Sequence, residues 1–148
     1  MEASSPDFVI FASDGLKLSG APPVPVMLIA AFLALSVAVL LGTALAVLYL
    51  RSKTAAGAPW ALTALHGLLG IGGLTCLVVS LRGPPQGADR GVGSFGAISA
   101  TLIGLAALAG LGVLLKHLLT RRRAGTLIGL HATLAVSGFV VLAAYLLA

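Results

Sequence analysis

Two residues of this chain stand out for the chemistry they could do: His66 and His131, each set inside a long apolar stretch. Neutral imidazole is a good ligand for iron and other transition metals. The two occur in matching surroundings. Leu65-His66-Gly67-Leu68-Leu69-Gly70-Ile71-Gly72-Gly73 aligns with Leu130-His131-Ala132-Thr133-Leu134-Ala135-Val136-Ser137-Gly138, so His66 coincides with His131 and Gly73 with Gly138. Residues about four apart on a helix share a face. Gly70 and Gly73 therefore follow His66 on one strip, and Ala135 and Gly138 follow His131. Each imidazole stands beside a side-chain-poor surface on which a flat macrocycle could lie.

The elements that position them are membrane helices. Apolar residues make up 59% of the 148 positions and charged residues only 9%, with a mean hydropathy of +1.11, whereas a soluble domain is about a quarter charged. Four segments, about 24–50, 59–81, 94–115 and 126–148, are each long enough to cross about 30 Å of hydrocarbon. The expected fold is an all-α, four-helix transmembrane bundle over residues 24–148, preceded by an N-terminal segment, 1–23. Pro22, Pro23 and Pro25 open the first span, and Arg51 and Lys53 stop it. Pro59 and Trp60 open the second, and the loop 83–93, rich in Gly and Pro, separates it from the third. Lys116 and His117 are read as the end of the third. The His66/His131 correspondence makes the second and fourth helices equivalent, which implies two helix pairs related by a pseudo-twofold axis along the membrane normal.

Charge placement orients the bundle. Arg51, Lys53, Lys116, Arg121, Arg122 and Arg123 fall in the first and third connections. Lys17, Arg82, Arg90 and all four acidic residues, Glu2, Asp7, Asp14 and Asp89, fall on the opposite side. The side richer in Lys and Arg stays in the cytoplasm, so both termini face outward. The net charge of +5 thus reflects helix ends, not a basic face, and nucleic acid is not expected as a partner. The acidic N-terminal segment lacks the basic start of a secretory signal, and its Phe8-Val9-Ile10-Phe11 run forms an apolar patch for the outer surface or a partner. A multi-pass protein of a bacterial inner membrane is expected.

Counted inward at 1.5 Å per residue, His66 lies about 10 Å and His131 about 12 Å deep, on helices that start from the same side. Two imidazoles at one level of a bundle suit a cofactor held between facing helices. The pattern resembles the four-helix transmembrane b-type cytochromes, through the helix count and the Leu-His-x-x-Leu element at 65–69 and 130–134. The resemblance implies one haem b ligated by His66 and His131, and electron transfer within or between membrane complexes. Members with two haems need two further membrane histidines, and this chain offers only His117. On this reading Arg51, Lys53, Arg121, Arg122 and Arg123 lie on the side where haem propionates would reach for water.

Other classes remain open. Each histidine could simply bond a neighbouring helix, which would suit a cofactor-free accessory subunit packed against lipid and other membrane proteins. A single imidazole could also ligate the magnesium of a chlorophyll-type pigment. His117, beside Lys116 at a helix end, reads as a boundary residue, and Cys76 as a small core residue. No ionisable relay for transport and no Ser-His-acid set for hydrolysis is present within the spans. Whether the chain is an enzyme is left open, with a non-catalytic electron-transfer or accessory role preferred.

Overall fold

The computed structural model describes residues 24–51, 59–120 and 124–148. The N-terminal segment with its Phe8–Phe11 patch, and the basic residues Lys53, Arg121, Arg122 and Arg123, lie outside the described residues. Four helices follow in order: α1 (Val24–Arg51), α2 (Trp60–Ser80), α3 (Phe95–Thr120) and α4 (Gly125–Leu146). All four are long and apolar enough to span a membrane, and no strand occurs among the described residues. Their outer faces are as apolar as their inner ones, with Leu40, Leu68 and Leu108 about two-thirds exposed or more. Such faces suit hydrocarbon, in which every backbone group must be satisfied within the helix.

Helix α3 extends past the expected end near 115. Lys116 and His117 do not interrupt it, because a cation is favoured in a last turn and a lysine stem can reach the polar boundary. The other ends fall within two residues of expectation.

The helices form a ring in which α1 packs chiefly on α2 and α3 chiefly on α4, with lighter contacts between α1 and α4 and between α2 and α3. The two pairs repeat each other at their closest contact. Gly73 of α2 is seated against Leu35 of α1, where an added Cβ would lie 2.7 Å from Leu35 Cγ. Gly138 of α4 is seated in the same way against Ile103 of α3, at 2.7 Å from its Cγ1. Small residues let membrane helices approach closely where no hydrophobic force drives them together. Ser99 Oγ adds a hydrogen bond to the Gly138 carbonyl at 2.8 Å.

The core sits at one end of the ring. Leu28, Ala31 and Leu35 of α1 meet Leu77 of α2, Ile103 of α3, and Leu142 and Tyr145 of α4. The α2–α3 connection closes over this end. Its Gln86 backbone N–H donates to Tyr145 Oη at 3.1 Å, and the Arg90 guanidinium donates to the Ala148 carbonyl. A single 3₁₀ turn, Ala88–Arg90, is flanked by Gly87 and Gly91. Both adopt positive φ, +61° and +76°, which a residue with a Cβ enters only at a cost. Toward the opposite end the four helices border a wide apolar cavity.

Candidate functional site

The two histidines lie on the wall of the cavity that the four helices border. Each imidazole leaves its own helix and crosses to the partner within its pair. His66 Nδ1–H donates to the Ala38 carbonyl of α1 at 2.9 Å, and His131 Nδ1–H donates to the Ala106 carbonyl of α3 at 2.7 Å. A glycine makes room for each ring. A Cβ on Gly42 would lie 2.9 Å from His66 Cε1, and one on Gly110 would lie 3.0 Å from His131 Nδ1. Helices α2 and α4 are diagonal in the ring, so the rings approach each other across its centre. Their centroids are 5.8 Å apart and their planes 81° from parallel. The expected shared depth is therefore realised as direct apposition.

The hydrogen bonds determine the tautomer. A carbonyl oxygen only accepts, so each Nδ1 carries the proton and each Nε2 keeps its lone pair. A metal-ligating histidine characteristically anchors its other nitrogen on a carbonyl in this way. Imidazole nitrogens bind transition metals at about 2.0–2.1 Å, which would hold the centroids of two opposed ligands roughly 6.3 Å apart. The observed 5.8 Å is within about half an ångström of that span.

Around the rings the four helices border a half-open cavity of about 1430 Å³, larger than the roughly 300–1,000 Å³ usual for small-molecule sites. The walls are almost wholly apolar, and the Thr43 and Thr63 hydroxyls turn back to carbonyls of their own helices, Val39 and Pro59. Tyr49, Trp60 and His117 line the end away from the paired imidazoles. On the core side, Phe32 and Phe139 stack with centroids 5.3 Å apart, and Phe139 also lines the cavity.

The small residues expected beside the histidines divide into two groups. Gly70 and Ala135 line the cavity, and a Cβ on Gly70 would meet nothing within 4 Å. Gly73 and Gly138, one turn nearer the core, are not among the cavity walls and serve helix packing against Leu35 and Ile103. Arg51 is exposed at the end of α1, outside the cavity lining.

Three positions that matter are not singled out by the sequence, Ala38, Gly42 and Ala106, while Gly110 is expected only as one of the glycines that mark close helix packing. Their signal is the pair of small residues one turn apart, Ala38-x-x-x-Gly42 and Ala106-x-x-x-Gly110, which is the spacing of close membrane-helix contacts. The repeat thus extends to α1 and α3, matching Leu35 with Ile103, Ala38 with Ala106, Gly42 with Gly110 and Tyr49 with His117.

No group of three or more His, Cys, Asp or Glu side chains able to hold a metal ion occurs among the described residues. Two imidazoles supply two nitrogen donors, so a metal held by them would need its remaining donors from the occupant itself. A metal already held in a planar macrocycle meets that requirement, and the cavity provides the room. No protein-family model, characterised protein or solved structure matches the chain.

Proposed function

We propose that this chain is a small integral membrane electron-transfer subunit that holds one haem b between His66 and His131, as part of a larger respiratory or photosynthetic complex. The observation that carries this reading is the pair of carbonyl-anchored imidazoles, 5.8 Å apart at the wall of a large apolar cavity. Haem supplies reversible one-electron exchange at its iron. His66 and His131 would ligate through Nε2, and the Ala38 and Ala106 carbonyls fix the rings. Gly42 and Gly110 admit the rings to those positions. The walls around them are mostly apolar, and burial of this kind is one of the factors that set a haem's potential.

The positive-inside rule orients the cavity mouth, with Arg51 beside it, toward the cytoplasm of a bacterial cell and both chain ends outward. The exposed leucine faces of the four helices are available to lipid and to neighbouring subunits.

A cofactor-free accessory subunit is the second reading. It is favoured by the same two hydrogen bonds, which already satisfy one nitrogen of each imidazole and tie α1 to α2 and α3 to α4. The size of the cavity weighs against it. Optical spectra of the detergent-purified chain, oxidised and reduced, separate the two. The haem reading expects a Soret band, one haem per chain by pyridine haemochrome, and loss of the low-spin spectrum in His66→Ala and in His131→Ala. Haemin-supplemented protein whose Soret band is unshifted from that of free haemin in the same detergent refutes it.

A further inference from the structure

The cavity is apolar over most of its length. The paired imidazoles lie along its wall, with Ile71, Ala135 and Phe139 on their core side. The cavity's outer end carries Tyr49, on α1, and His117, on α3. These two are partners under the internal repeat: each lies two helical turns beyond the glycine that seats an imidazole, Gly42 and Gly110 respectively. Two turns carry them about 10 Å toward the mouth. Tyr49 is half-buried and its hydroxyl reaches toward the start of α4, 3.8 Å from where a Cβ on Gly125 would stand. The repeat thus sets two hydrogen-bond donors on either side of the axis that passes between His66 and His131. Arg51 and Lys116, both exposed at this end, add positive potential.

The geometry points to Tyr49 and His117 as the paired anchors for two carboxylates on one edge of the cavity's occupant, so that the site selects a porphyrin bearing free propionates over one whose acids are esterified. This rests on the haem reading above. Haem b carries two propionates on a single edge, symmetric about the line that bisects them. Aligning that line with the protein's pseudo-twofold axis brings one propionate to each anchor while the metal stays between the imidazoles. A phenol O–H and an imidazole N–H both donate to carboxylate, and charge-assisted bonds of this kind are the strong ones. An ester cannot take the negative charge that makes them so.

The test titrates the full-length apoprotein in detergent with haemin and with haemin dimethyl ester, reading the Soret band. Wild type is expected to prefer haemin by about tenfold or more, the ratio that hydrogen bonds to charged groups typically provide. Tyr49→Phe and His117→Leu should each reduce the preference, and the double variant should abolish it while saturating haemin still yields the low-spin spectrum. His117→Gln, which keeps an N–H donor, should retain most of it. Comparing ratios between variants cancels the unequal partitioning of the two porphyrins into detergent. A wild type without preference, or a double variant that keeps it, overturns the anchors and leaves the haem reading standing. A Soret band unshifted from that of the free porphyrin in detergent, with haemin and with its ester alike, overturns both.

Discussion

Replacing Gly42 by alanine places a methyl group 2.9 Å from His66 Cε1 and 3.4 Å from its Nδ1. Carbon atoms rest about 3.5–4.0 Å apart, so the ring must withdraw by roughly 0.6 Å or rotate. The 2.9 Å bond to the Ala38 carbonyl then stretches to about 3.5 Å, the outer limit of a useful hydrogen bond. If the imidazole only pins α2 to α1, the loss is one membrane hydrogen bond, about 0.6 kcal/mol and at most about 1.7 kcal/mol. If the imidazole is a metal ligand, disturbing the group that orients it costs about 10–100-fold in affinity, or about 1.4–2.7 kcal/mol per bound haem. Haemin titration of the purified variant followed at the Soret band reads the second quantity, and unfolding in detergent reads the first. Gly110→Ala should follow in the same direction with a comparable effect, since a Cβ there would lie 3.0 Å from His131 Nδ1 and 3.1 Å from its Cε1. Gly104→Ala, where an added Cβ meets nothing within 4 Å, should leave the titration unchanged. A Gly42→Ala protein with wild-type haemin affinity and spectrum would refute the assignment of His66 as an oriented ligand.

Gly73→Val and Gly138→Val should each force one helix pair apart, because even the first added carbon falls 2.7 Å from Leu35 or Ile103. Losses of about 1–3 kcal/mol, the usual cost of overpacking, are expected in detergent unfolding. In the α2–α3 connection, Gly87→Ala should destabilise more than Gly91→Ala. Both positions have positive φ, costing about 1–2 kcal/mol for a residue with a Cβ, but only at Gly87 does that Cβ also strike neighbours, Val92 and Ala148. Thermal denaturation of the two variants side by side checks the order. Tyr145→Phe removes the acceptor of the Gln86 N–H and should cost about 1 kcal/mol, with haemin affinity unchanged because the loop closes the end away from the cavity.

The four spans were legible because hydropathy needs no knowledge of tertiary contact, and the paired histidines because their flanking residues repeat. The partition of the small residues was not. Gly70 and Gly73 share a face with His66, and only the convergence of the helices toward the core decides that one borders the cavity while the other meets Leu35. Ala38 and Gly42 escaped notice because α1 is apolar on every side, so no periodic contrast marks the face that its partner covers. Lys116 and His117 were read as a stop, although a helix can pass its first polar residues and still end in the headgroup region. The pinning of the α2–α3 loop by Tyr145 joins residues too far apart in sequence for any local pattern to reveal.

The division into two hairpins, closely joined within and sparsely joined between, bears on how the molecule matures. Each hairpin can insert and close on its own small-residue seam, yet each brings a single imidazole. Nothing can be gripped until the two halves dock. On the haem reading, the cavity between them holds little protein to cement the union, so the haem that fills it becomes part of the joint. By mass action a ligand that binds only the docked form stabilises it by about 2.7 kcal/mol at a hundred times its dissociation constant. Loading and assembly are then one event, and the empty molecule is the one most exposed to coming apart.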